Sequence, residues 1–149
     1  MTDKPTNRNG NTYVLDASVA VKFFAEEEGS ETARALWRKA EMGEIRLLAP
    51  DLLLYEIGNV LGKAKRLQEP TIIEALHLLF ESSLEFFPPE ERTLDIAEGF
   101  MKKYEVTFYD ASYAALAYKF GIPLISENPK DHGKIKEIEV KNLASLKNL

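Results

Sequence analysis

The sequence predicts a three-layer α/β/α domain built on a mainly parallel sheet. Three observations carry that expectation. Short apolar runs recur along the chain, and longer segments with a helical period separate them. Strands joined through helices need crossover connections, which make neighbouring strands parallel and cover both faces of the sheet. The third is size: 149 residues, 45% hydrophobic and 29% charged, suit a single well-filled core.

The elements follow in order. Met1 to Asn11 is polar, carries Pro5, Gly10 and three asparagines, and reads as a frayed arm without the apolar core of a signal peptide. The single domain then runs over 12–149. Tyr13-Val14-Leu15 is β-prone and ends at Asp16; Ser18 to Phe24 reads as helix, and Ser30 to Gly43 as a second helix closed by its glycine. Arg46 to Ala49 predicts a buried strand, punctuated by Pro50-Asp51. Leu52 to Arg66 predicts a helix with Asp51 as N-cap, and Pro70 to Ser83 another with proline in its first turn. Leu84 to Phe87 reads as a third strand stopped by Pro88-Pro89, and Glu90 to Tyr104 as helix. An extended stretch over Val106 to Tyr109 leads into Asp110, and Ala111 to Phe120 forms an Ala-rich helix capped by Gly121. Pro123 to Ser126 and Ile138 to Asn142 complete five strands.

Composition excludes several chemistries. There is no cysteine, which removes disulfides, thiol nucleophiles and Cys-ligated metals, and His77 and His132 are the only histidines, too few for a His-rich metal site. The formal charge of −5 argues against gripping nucleic acid through the global field. It leaves open a nuclease in which carboxylate-bound cations reverse the local sign. No apolar run approaches the roughly 18 residues of a membrane span, so the expectation is a soluble, cytoplasmic protein.

Parallel α/β sheets place functional groups at the carboxyl ends of their strands. Asp16 and Asp110 stand there in matching contexts, Leu15-Asp16-Ala17-Ser18 and Tyr109-Asp110-Ala111-Ser112. Each is open to two readings, a helix N-cap or a pocket carboxylate. Glu56 lies one turn into its helix, beside a stripe of Leu53, Ile57, Val60 and Ala64. It is either a solvated boundary residue or a carboxylate aimed across the sheet end. After the fourth strand, Ser126-Glu127-Asn128-Pro129-Lys130-Asp131-His132-Gly133 reads as a turn that presents Asn128 and Asp131 as oxygen donors. Oxygen ligands without a Cys or His cluster suit Mg²⁺ or Mn²⁺. Clustered carboxylates repel unless a cation neutralises them.

These pieces, in this order, resemble the PIN-domain ribonucleases, and within them the VapC type of toxin from toxin–antitoxin pairs. The resemblance rests on Tyr13 to Ser18, Pro50 to Val60, Tyr109 to Ser112 with Ala114 to Ala117, and Ile125 to Asp131. It implies a five-stranded parallel sheet in the order 3-2-1-4-5 and an acidic pocket for Mg²⁺ or Mn²⁺. Carried over by position, Asp16, Glu56 and Asp110 match the family's three core acids. Asp131 is the fourth acid, supported by Ser126 and Asn128, with Glu127 ranked lower because it points to the other face. On this reading Asp16, Asp110 and Asp131 hold metal, Glu56 orients or deprotonates water, and Ser18 and Ser112 donate hydrogen bonds. The resemblance further implies an RNA substrate, a cognate antitoxin protein and a homodimer whose helical groove takes an antitoxin peptide.

Lys63, Lys65 and Arg66 end the Glu56 helix, and Lys130, Lys134 and Lys136 surround Asp131; both groups are open between phosphate contacts and solvated surface. Tyr109 and Tyr113 flank Asp110 as base-stacking or core residues. Gly58 and Gly62 suggest close approach by another helix, such as one in a dimer. The apolar Ile72, Ile73, Leu76, Leu79 and Phe80 suit either an antitoxin groove or the core. Two rivals stand beside the nuclease: a catalytically idle PIN-like scaffold that binds a protein, and a receiver-type signalling domain. The second wants adjacent acids after the first strand and a lysine where Ser126 stands. Phosphate-loop, dinucleotide and nucleophile-elbow motifs fail on inspection.

Overall fold

The computed structural model describes residues 10–63 and 71–149. The polar arm up to residue 9, and Ala64, Lys65, Arg66 and Pro70, lie outside the described residues. Five strands form one sheet: β1 (Thr12–Leu15), β2 (Arg46–Pro50), β3 (Glu85–Phe87), β4 (Leu124–Ile125) and β5 (Val140–Lys141). All neighbours are parallel and the order is β3-β2-β1-β4-β5. The helices are α1 (Ala17–Ala20), α2 (Ser30–Glu41), α3 (Leu52–Lys63), α4 (Ile72–Glu81), α5 (Glu91–Tyr104), α6 (Phe108–Phe120) and α7 (Pro129–His132). The three-layer α/β/α architecture and the strand order are those expected.

β1 is central and buried along its whole length, which is why Tyr13-Val14-Leu15 reads as an apolar run. Its register sets the site. Leu15 is paired with Ile125, so the next residue of each strand, Asp16 and Ser126, leave the sheet side by side on its carboxyl edge. The Asp16 N–H still donates to the Ile125 carbonyl at 3.0 Å, and the Ser126 N–H to the Lys141 carbonyl at 3.0 Å. The sheet ladder thus pins both backbones.

α6 is covered on almost every side: Ala111, Tyr113, Ala114, Ala115, Leu116, Ala117 and Phe120 are all buried. It packs on β1 and β2 on one side and on α5 on the other, and only alanine-rich faces allow both approaches. Its start differs from the expectation. Phe108 and Tyr109 are helical rather than extended, and Thr107 is the N-cap, its Oγ1 accepting the Asp110 N–H at 3.0 Å. Asp110 is therefore the third residue of the helix. It neither ends a strand nor caps α6. The segment Val106-Thr107-Phe108-Tyr109 is rich in β-branched and aromatic residues, but the cap and the packing of α6 override that propensity.

Other boundaries shift for local reasons. The helix expected over Ser18 to Phe24 is α1 followed by a 3₁₀ turn over Val21–Phe23. α4 starts at Ile72 behind a Thr71/Glu74 capping box. On α3 the buried stripe is Leu53, Ile57 and Leu61, while Val60 is 45% exposed. The helix that approaches Gly58 and Gly62 belongs to the same chain: a Cβ at either would meet Leu76 or Ile72 of α4 at 3.6 and 3.8 Å. Of the apolar residues of α4, Leu79 is buried and Ile72, Ile73 and Phe80 are exposed.

Candidate active site

Asp16 stands at the end of β1, in the N-cap position of α1, yet its side chain does not cap the helix. Instead Oδ2 accepts from two hydroxyls, Ser18 Oγ at 2.6 Å and Ser126 Oγ at 3.1 Å. The residue is only 5% exposed. A carboxylate this buried is costly unless paired, and two hydroxyl donors on one oxygen hold it in a single orientation. Ser18 also accepts the Glu127 N–H at 3.0 Å, so the loop after β4 is tied to the helix after β1.

Glu56 comes from the first turns of α3, and Asp110 from the first turn of α6. Glu56 Oε1 is buried with no hydrogen-bond partner. Its carboxyl is held above the usual carboxylate range, chiefly by burial. The charges of Asp16 and Asp110 add to that shift. Asp110 is also pushed up, first by burial and further by Asp16 and Asp131, with His132 opposing. Tyr113, on α6, is fully enclosed; burial raises its hydroxyl, and Oη has no hydrogen-bond partner among the described residues. Three carboxylates from α3, α6 and the end of β1 therefore feel one another. Among the described residues no Lys or Arg forms an ion pair with any of them; the ionisable group against them is His132.

His132 is the residue sequence reasoning missed, having used it only to exclude a histidine-rich site. It is 0% exposed and sits at the end of α7. Nδ1 lies 2.8 Å from Ser126 Oγ and Nε2 lies 3.4 Å from Asp110 Oδ1. Its ring meets the Tyr113 ring edge-on at 6.3 Å between centroids. One signal was available: of two histidines in the chain, one directly follows the acid assigned to the pocket.

The remaining candidates divide. Ser126 joins the cluster, buried between Asp16, His132 and the Asn128 N–H, which it accepts at 2.9 Å. Asn128 Nδ2 donates to Asp131 Oδ2 at 3.1 Å, and Lys134 Nζ stands 3.9 Å from Asp131 Oδ1. Asp131 thus lies at the rim, its side chain 38% exposed, close enough to act on Asp110 but already paired. Ser112 turns away: its hydroxyl donates to the Phe108 carbonyl of its own helix at 2.7 Å. Glu127 has a structural task, accepting the Leu143 N–H at 2.7 Å. Lys63, Lys130, Lys134 and Lys136 are exposed. Tyr109 is 61% exposed beside Asp110 whereas Tyr113 is core. An apolar cleft of about 430 Å³ has Tyr55, Phe87, Leu94, Phe108 and Tyr109 among its walls.

A family model described as PIN domain matches residues 13–138. The chain belongs to the PIN-domain family. This PIN domain is 36% identical over 118 residues to Ribonuclease VapC3 of Pyrobaculum aerophilum, a match that covers 76% of the chain and 86% of that protein. It is of the VapC type. Solved structures share its fold. VapBC2 from Rickettsia felis, bound to a DNA fragment from its promoter, superposes with a TM-score of 0.68 at 15% identity, covering 88% of this chain and 98% of that one. A toxin–antitoxin complex from Klebsiella pneumoniae gives 0.64 at 16% identity, covering 88% and 97%.

Whether the PIN domain's residues fit a divalent cation is a question of donor chemistry. Asp16, Glu56 and Asp110 are hard oxygen donors, mutually repulsive and without a Lys or Arg partner among the described residues; one Glu56 oxygen is orphaned. That set fits Mg²⁺ or Mn²⁺. Among the described residues no three acidic or histidine side chains already converge as a metal-holding group, so loading requires rotamer adjustment.

Proposed function

We propose that this PIN domain is a divalent-metal-dependent endoribonuclease and the toxin of a toxin–antitoxin pair. The observation that carries the reading is the gathering of Asp16, Glu56 and Asp110 at one sheet edge with no Lys or Arg ion pair among the described residues. Such a cluster costs stability and has a use only if a cation and a reaction come to it. Likeness to a ribonuclease and to proteins found in toxin–antitoxin complexes supports the same reading.

Asp16 and Asp110 would hold the ion, and Asp131 would join them by turning in from its pairing with Asn128. Mg²⁺ or Mn²⁺ bound there supplies Lewis acidity toward a phosphodiester and lowers the pKa of a bound water. Ser18 and Ser126 keep Asp16 in one orientation, so little reorganisation is needed when the substrate arrives. Glu56, half-buried and held above the usual carboxylate range, is suited to take the proton of the attacking water. Tyr109 and Tyr55 are exposed beside Asp110 and Glu56 respectively and offer rings to unpaired bases. In-line attack leaves a 3′-hydroxyl and a 5′-phosphate. The exposed Ile73 and Phe80 of α4 offer an apolar surface to an antitoxin or a second protomer.

The test uses purified protein with mixed RNA in Mg²⁺, in Mn²⁺ and in chelator, beside Asp16→Asn and Asp110→Asn. Cleavage that needs metal and is lost in both variants supports the nuclease. Metal binding and a stable partner complex without turnover would favour the idle scaffold.

A further inference from the structure

Resting on that reading of the carboxylates as a cation site, we propose that His132 Nε2 is a nitrogen ligand of the same ion as Asp110, giving the centre a preference for Mn²⁺ over Mg²⁺. His132 is wholly buried, and its Nε2 has no hydrogen-bond partner among the described residues. A buried imidazole nitrogen without a partner among the described residues, beside a carboxylate, has the chemistry of a metal ligand. The nitrogen stands 3.4 Å from Asp110 Oδ1 without the geometry of a hydrogen bond. Two donors each about 2.1 Å from one cation, at tetrahedral to octahedral angles, are separated by about 3.0–3.4 Å. The pair is already spaced as cis ligands.

The other side of the ring points the same way. Ser126 Oγ accepts the Asn128 N–H at 2.9 Å and gives its one proton to Asp16 Oδ2 at 3.1 Å. The 2.8 Å contact with His132 Nδ1 then takes its proton from the ring, so that in the neutral ring it is Nε2 that carries the bare lone pair on the Asp110 side. Histidine ligands are fixed in just this way, with the second nitrogen donating to a neighbouring oxygen. The ring cannot swing out. Its backbone N–H is bonded to Asn128 O at 3.3 Å, its carbonyl accepts from Ile135, and Tyr113 closes one edge. Asn128 and Asp131 face each other, so His132 lies deeper in the cluster than either. Mg²⁺ takes oxygen donors and holds its waters, whereas first-row transition ions accept imidazole readily.

The experiment loads the full chain with Mn²⁺ and records pulsed electron paramagnetic resonance for nitrogen coupled to the ion. Natural-abundance protein is compared with ¹⁵N-histidine-labelled protein, and Mn²⁺ and Mg²⁺ affinities are measured by calorimetry. Only His77, exposed on α4, competes as the nitrogen source, so His77→Gln is the control. The expected result is a histidine nitrogen coupling in wild type and His77→Gln that vanishes in His132→Gln. Mn²⁺ affinity should fall at least tenfold in that variant and Mg²⁺ affinity less than threefold. If His132→Gln does not fold, the isotope change in wild type decides. Tight Mn²⁺ binding, lost in Asp110→Asn but without nitrogen coupling, overturns the proposal and leaves the carboxylate nuclease standing. No Mn²⁺ binding by the wild type overturns both.

Discussion

Ser126→Ala is the substitution whose cost the structure defines most closely. The Ser126 hydroxyl is fully buried and meets three polar atoms: Asp16 Oδ2 at 3.1 Å, His132 Nδ1 at 2.8 Å and the Asn128 N–H at 2.9 Å. Alanine leaves all three without that partner. The Asn128 amide is partly buried and can find water. His132 is closed off, so its Nδ1 is stranded, at about 1–3 kcal/mol. Asp16 loses one of two hydroxyl donors to a charged acceptor, worth about 1.5–3 kcal/mol before Ser18 compensates. A total near 3 kcal/mol follows, or a fall of about 6–12 °C in melting temperature for a chain of this size. Metal-free urea unfolding should show a lower midpoint with an unchanged slope. Ser112→Ala is the matched control, because its hydroxyl is exposed and bonded only within its own helix; it should move stability by no more than about 0.5 kcal/mol. A loss below about 1 kcal/mol for Ser126→Ala would refute the claim that this hydroxyl organises Asp16 and His132.

Three further outcomes are expected. Asp110→Asn should cut RNA cleavage by at least about 10²-fold and yet melt higher than wild type without metal at neutral pH, since the amide removes a charge that burial and Asp16 disfavour. Unfolding of that variant would make Asp110 a structural residue. Glu56 and Asp110 are both held above the usual carboxylate range, so the folded chain binds their protons more tightly than the unfolded one. Their stabilising effect is complete below the ordinary carboxylate pKa and is lost as pH rises through the folded values. Metal-free wild type should therefore lose stability between mildly acidic and neutral pH relative to a Glu56→Gln/Asp110→Asn variant, and saturating Mn²⁺ should shrink the difference in thermal melts. Thr107→Ala removes the α6 cap and should cost about 1 kcal/mol in denaturant unfolding.

Local signals carried the architecture and long-range ones hid the chemistry. The five strands were legible because parallel strands buried on both faces must be short apolar runs, and Val14-Leu15 and Leu124-Ile125 are apolar for that reason. The start of α6 was readable too, from Thr107 and Asp110 at capping spacing, but the aromatic pair between them argued for a strand. Val60 looked like core because it falls three residues after Ile57; the burial instead follows four-residue steps from Leu53 through Ile57 to Leu61. The place of His132 next to Asp131 was legible, but its contacts were not. Its partners Ser126 and Asp110 come from two further elements, and Ser126 reaches Asp16 across 110 positions of sequence. Spacing cannot reveal a contact that only the Leu15–Ile125 register creates.

That register also says why the carboxylate cluster is tolerable and what it excludes. The chain has 19 Lys and Arg residues, and several pair with acids elsewhere: Arg46 with Glu85, Lys22 with Glu27, Lys119 with Glu90. A lysine at the end of β4, which a receiver-type site wants, would set a permanent positive charge against Asp16. Ser126 stands there instead, giving Asp16 a hydrogen bond without cancelling its charge. The group that does face the acids from the next turn is an imidazole, which can present either a proton or a lone pair. Hydroxyls to orient the acids and an exchangeable nitrogen opposite them keep the negative charge available. A fold that only needed a quiet sheet edge would have placed an ammonium or an apolar side chain there.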